Sequence, residues 1–67
     1  MEKDWVVAYY ASQTFQAEMI RKMLSDHEIE VFIINKQDSS YHIGEIELYV
    51  KRDNVVRAKK LIKDFEN

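Results

Sequence analysis

Glu45-Ile46-Glu47-Leu48-Tyr49-Val50-Lys51 alternates charged or polar residues with apolar ones over seven positions. That is the period of a half-buried β-strand. Side chains on a pleated strand point alternately to opposite faces, so Ile46, Leu48 and Val50 share one side and Glu45, Glu47, Tyr49 and Lys51 the other. One face of the sheet containing this strand is therefore expected to be covered and the other open to solvent. The remaining elements can be placed around it.

Working back from the strand, residues 36–44 form the longest irregular segment, Lys36-Gln37-Asp38-Ser39-Ser40-Tyr41-His42-Ile43-Gly44, and hold the only glycine in the chain. A loop this long exceeds the 2–5 residues of an ordinary hairpin and hints at a functional role. Before it, residues 30–35 (Glu30-Val31-Phe32-Ile33-Ile34-Asn35) are β-branched and aromatic enough for a second strand. Residues 5–10 (Trp5-Val6-Val7-Ala8-Tyr9-Tyr10) form another such run, apolar on both faces. Between these two strands, Ser12 or Thr14 offers an N-cap for a helix running to about His27. On a helical wheel Ala17, Ile20 and Leu24 form the expected core stripe. Phe15, Met19 and Met23 lie on its flank, either folding over the edge of the same core or offering a polarizable surface to a partner. The helix ends without glycine, so His27 or Glu28 is expected to take the left-handed conformation there. After the central strand, Asp53 stands where an N-cap is needed, and Val55, Ala58, Leu61, Ile62 and Phe65 recur at helical spacing toward the C-terminus.

The order is thus β-α-β-β-α within one domain over residues 1–67. Right-handed crossovers make the first and second strands parallel, with the third antiparallel between them and both helices on one face. The fold class expected is α+β: a ferredoxin-like two-layer sandwich with a three-stranded sheet of order 2-3-1.

Composition sets further bounds. A core in a chain of 67 residues rarely supplies more than roughly 3–5 kcal/mol of net stability. The chain has no cysteine, so neither a disulfide nor a thiolate metal site can add to it. Self-association remains, and the first strand, at one edge of the sheet, is expected to pair with its own copy in a homodimer. No apolar run reaches the ~18 residues needed to span a bilayer, and Met1-Glu2-Lys3-Asp4 lacks the cationic start of a signal peptide. A cytoplasmic location without membrane association is expected. The net charge is −2, with six basic and three acidic residues from Lys51 onward and four basic and nine acidic residues before it. A nucleic-acid partner would call for a basic excess across the domain.

No catalytic or cofactor signature emerges. His27 and His42 have no partner at metal-ligand spacing. Glu45 and Glu47 share a strand face, but a flat surface does not place two carboxylates about a substrate with separated pKa values, and both are expected to be solvated carboxylates on a wet strand face. Ser39 and Ser40 beside His42 lack a strained elbow or an oxyanion hole, and read as turn residues. Arg57, Lys60 and Lys63 make a basic, solvated helix face. The open sheet face is the better candidate. Tyr49 and Glu47 belong to it, joined from the first strand by either Trp5, Val7 and Tyr9 or Val6, Ala8 and Tyr10. Exposed aromatics of this kind occur on RNA-binding sheets, yet Glu45 and Glu47 would repel phosphate and the basic-aromatic signature is missing. Packing across strands or lining a protein interface is the stronger account.

The stripe Ala17-x-x-Ile20-x-x-x-Leu24, Ile29 opening the second strand, the loop to Gly44, and Ala58-x-x-Leu61-Ile62 together resemble a small bacterial family, the putative prokaryotic signal-transducing proteins. Its fold is similar to that of the PII-type nitrogen-regulatory signal proteins. The family usually has glycine where this chain has Glu28. What the resemblance implies about activity is modest, because the family has no established one; with no catalytic signature in the residues, a non-enzymatic domain is expected. In PII-type proteins the loop between the second and third strands contacts target proteins and helps hold nucleotide. Here that loop is residues 36–44, much shorter and without a basic, glycine-rich phosphate-binding pattern, so no cofactor is expected. The combined expectation is a signal-transducing or binding domain whose surface comprises Lys36, Asp38, Ser39, Ser40, Tyr41 and His42 of the loop with Trp5, Glu47 and Tyr49 of the open face. Its partner would be a protein or small ligand. The alternatives are a ligand-free homodimerisation module and a weak RNA-binding sheet.

Overall fold

In the computed structural model, residues 4–37 and 44–66 are described. Three strands, β1 (Trp5–Ala11), β2 (Val31–Asn35) and β3 (Ile46–Lys51), and two helices, α1 (Thr14–Asp26) and α2 (Val55–Glu66), follow in the order β1-α1-β2-β3-α2. A short 3₁₀ turn (Arg52–Asn54) leads into α2. β3 is central, antiparallel to both neighbours, in a sheet of order β1-β3-β2. This is the expected α+β arrangement of ferredoxin-like type.

The alternation of β3 carries directly into packing. Ile46, Leu48 and Val50 are fully buried, while Glu47, Tyr49 and Lys51 are partly exposed. The buried trio forms one core with Ala17, Ile20 and Leu24 of α1 and Ala58 and Ile62 of α2. Both helices therefore lie on the same side of the sheet. The alanines at 17 and 58 have almost no exposure; a side chain of one carbon lets each helix approach closely at those positions.

Helix α1 starts differently from expectation. Its N-cap is Gln13, which makes no side-chain capping bond, rather than Ser12 or Thr14. Instead the Gln16 side chain reaches back to accept the backbone N–H of Ser12, the residue before the N-cap, at 3.2 Å, which fixes the chain's entry into the helix. At the other end, Glu28 takes the left-handed conformation with φ 64°. Its N–H donates to the Ser25 carbonyl at 2.9 Å, and that of Ile29 donates to the Leu24 carbonyl at 3.0 Å. These two bonds, with Leu24 and Ile29 both buried in the core, constitute a Schellman motif in which glutamate occupies the glycine position. The His27 carbonyl accepts a bond from Arg57 Nη2 at 2.9 Å, tying the end of α1 to α2. Asp53 does not cap α2; it lies inside the 3₁₀ turn, which supplies the approach to the helix.

The β1–β3 register contains a bulge. Val6 faces Val50 and Val7 faces Tyr49, but Tyr9, not Ala8, faces Leu48, followed by Tyr10 opposite Glu47 and Ala11 opposite Ile46. One extra residue on β1 thus opposes β3 at Ala8. Directly opposed residues share a face, so Val6, Tyr9 and Ala11 lie on the helix side. Trp5, Val7 and Tyr10 lie on the open side. Neither regular alternation expected for this strand is the observed one: the bulge switches from one to the other partway along.

Candidate binding surface

The open face collects side chains from all three strands. Cross-strand register places Phe32 beside Tyr49 and Ile34 beside Glu47 from β2. From β1, Trp5 stands beside Lys51, Val7 beside Tyr49 and Tyr10 beside Glu47. Six of these eight side chains are aromatic or aliphatic. Tyr10 and Phe32 keep 54% and 51% of their surface exposed. Among the described residues no helix lies on this side, so the aromatic layer is half packed on itself and half open.

Its internal contacts are specific. The Trp5 and Phe32 rings meet edge to face with centroids 6.1 Å apart, the geometry favoured by the ring quadrupoles. Lys51 Nζ lies 5.1 Å from the Trp5 ring centroid, within reach of a cation–π attraction. Toward the loop end, Glu47 accepts a hydrogen bond from the Tyr49 hydroxyl at 2.9 Å and pairs with Lys36 Nζ at 3.3 Å. Its side chain is only 13% exposed. The expectation of a solvated carboxylate is therefore corrected: Glu47 is enclosed between its cross-strand neighbours and neutralised by a lysine. That carboxylate, by accepting the hydrogen bond, raises the Tyr49 hydroxyl pKa above the ordinary phenol value. Desolvation and the negative charge of Glu47 act in the same direction, while Lys36 opposes them.

Of the site residues expected from sequence, Trp5, Lys36, Glu47 and Tyr49 are brought to this face or its rim. Asp38, Ser39, Ser40, Tyr41 and His42 lie outside the described residues. The stems of their loop are joined, since the Lys36 N–H donates to the Glu45 carbonyl at 3.1 Å. Gly44, with φ 115°, fits tightly against that stem: a Cβ at this position would stand 2.6 Å from the Lys36 carbonyl oxygen. Sequence reasoning missed Phe32, Ile34 and the split contribution of β1. The first two were legible in principle from the alternation within β2. The third depended on the bulge.

On the helix side, Tyr9 links three elements. Its hydroxyl donates to Glu66 Oε2 at 2.5 Å and accepts from Gln16 Nε2 at 2.8 Å. The hydrogen bond to the Glu66 carboxylate, aided by desolvation and that residue's charge, raises the Tyr9 pKa. Beside this network two hollows of about 380 and 330 Å³ run along the exposed flank of α1, sharing Met19 and Phe65 in their walls. Phe15 and Met19 remain 72% and 42% exposed, so only Met23 of the flank packs against the core. Among the described residues, no group of three or more His, Cys, Asp or Glu side chains could hold a metal, and no helix is long and apolar enough to cross a membrane.

A three-stranded antiparallel sheet with two helices behind it and an aromatic surface in front defines a small α+β domain. By its sequence this chain belongs to the family of putative prokaryotic signal transducing proteins, whose pattern it matches over residues 5–66. No curated protein and no solved structure matches it.

Proposed function

We propose that this protein is a non-enzymatic binding domain of signal transduction, and that the open sheet face, with the 36–44 loop at its end, takes a protein partner. The observation that supports this most is the uncovered aromatic layer, in which Tyr10 and Phe32 stay half exposed. Contiguous apolar surface rimmed by charge is costly to leave in water and typically marks an interaction site. The flat face suits a protein segment better than a small molecule, which generally requires a concave pocket. Lys36 and Lys51 against Glu47 leave no strong charge excess on the face, which argues against a nucleic-acid backbone as occupant.

Self-association through the free edge of β1 is less favoured by this geometry. The bulge divides that edge into residues 5–7 and 9–11, and a bulged edge is a poor template for further pairing.

Affinity capture with Phe32→Ser and Tyr10→Glu chains, beside wild type and a Lys60→Glu control on the basic helix, tests the reading. Partners held by wild type and Lys60→Glu should be lost from both sheet variants. NMR shifts on partner addition should cluster at Trp5, Tyr10, Phe32 and Tyr49; shifts confined to Arg57, Lys60 and Lys63 would overturn it. A steep loss of binding with salt would point to nucleic acid instead.

A further inference from the structure

We infer that the exposed flank of α1 is a second interface, occupied by α1 of another copy of this chain packed antiparallel about a two-fold axis. Phe15, Met19 and Met23 are spaced four residues apart and so form a straight ridge on one side of the helix. Phe15 is 72% exposed and Met19 42%, and Phe65 of α2, 44% exposed, extends the same surface. The ridge is interrupted by the two hollows, one walled by Phe15, Met19 and Phe65, the other by Met19, Met23 and Phe65. Such a surface needs a partner that is itself ridged at four-residue spacing.

Charge selects the occupant and its direction. On the solvent side of the ridge lies the row of Glu18 and Lys22, one turn apart and opposite in sign. In parallel helices related by a two-fold axis along their length, this row would fall on opposite sides of the pair and never meet its own copy. In an antiparallel pair, two-fold symmetry brings this row against its own copy in reverse. Glu18 then meets Lys22 of the second copy, and Lys22 meets that copy's Glu18. The same register places Met19 opposite the step between Met19 and Met23 of the second copy, and Met23 opposite the step between Phe15 and Met19. Those steps are where the two hollows lie. One register therefore satisfies both the charges and the interdigitation.

The present partners do not resist this exchange. Glu18 pairs with Arg21 at 2.8 Å and Lys22 with Asp26 at 3.9 Å, with 44–77% of each side chain exposed; solvent-exposed pairs of this kind contribute little. The resulting dimer would carry its two aromatic sheet faces outward, leaving both free for the partner proposed above.

Sedimentation at ~100 μM, a concentration suited to micromolar association, should show a dimer. Met19→Glu should make it monomeric, with far-UV circular dichroism confirming the fold. Glu18→Lys and Lys22→Glu should each raise Kd about tenfold or more, and the double variant should return it to within about threefold of wild type, as a reciprocal charge pair requires. Phe32→Ser, on the opposite side of the molecule, should leave the dimer intact. A monomeric wild type, a dimer indifferent to Met19→Glu, or a double variant no better than either single one would overturn the inference.

Discussion

Replacing Glu28 by glycine should stabilise the protein. Glu28 holds φ 64° because the Schellman motif needs a left-handed residue between the end of α1 and Ile29, which must turn back into the core. A residue with a Cβ in this conformation carries a strain of about 1–2 kcal/mol. Glycine removes the strain but adds freedom to the unfolded chain, which takes back about 0.4–1 kcal/mol. The difference leaves a net gain of roughly 0.8 kcal/mol, which in a domain of this size corresponds to a rise in Tm of about 3–6 °C. Glu28 makes no side-chain bond that would be lost among those found for the described residues. Thermal unfolding followed by circular dichroism reads the shift directly. Glu28→Ala, which retains the Cβ, should stay within about 0.5 kcal/mol of wild type, and Glu28→Val should be less stable because β-branching worsens the left-handed conformation. Were Glu28→Gly no more stable than Glu28→Ala, the attribution of strain to this position would be refuted.

Further outcomes follow from the same structure. Gly44→Ala should lower the urea midpoint, with a loss of roughly 1–3 kcal/mol, because both the positive φ and the Lys36 carbonyl reject a Cβ. Leu48→Ala, in the middle of the core with no exposure, should cost about 2–5 kcal/mol, comparable to the whole stability expected of so small a domain; near-UV circular dichroism should show tertiary packing largely lost at 25 °C. Tyr9→Phe should remove part of the alkaline loss of stability. Because the folded-state pKa of Tyr9 is raised, its contribution is fully present below the unfolded value of about 10 and disappears as pH rises through the folded value. Denaturation between about pH 9 and 12 should therefore give a flatter profile for the variant, with Tyr49, shifted in the same direction, accounting for some of the remaining slope.

Much of the fold was legible because its determinants are local. The period of two in residues 45–51 and the recurrence of Ala17, Ile20 and Leu24, then Ala58 and Ile62, specify which side of each element is buried. The crossover rule leaves one economical way to stack them. Helix boundaries were less legible, since Ser12, Thr14 and Asp53 all have the chemistry of a cap, while the caps formed depend on which backbone donors the surrounding chain leaves unsatisfied. The candidate surface was half legible. Tyr49 and Glu47 follow from alternation, whereas the enclosure of Glu47 requires Lys36 and Tyr49 to meet it from neighbouring positions in space.

By itself, then, the amino-acid order determined the succession of strands and helices, the covered face of β3 and the need for a left-handed residue at 27 or 28, because each depends on side chains within a few residues of one another. Only the tertiary structure decided that Tyr9 turns toward the helices and Tyr10 away from them. That choice rests on pairing with β3 some 40 residues distant in sequence and on hydroxyl bonds to Gln16 and Glu66. The same holds for the flank of α1: its apolar arc is wide enough to serve a core on either side, and the position of α2 left Phe15 and Met19 facing water.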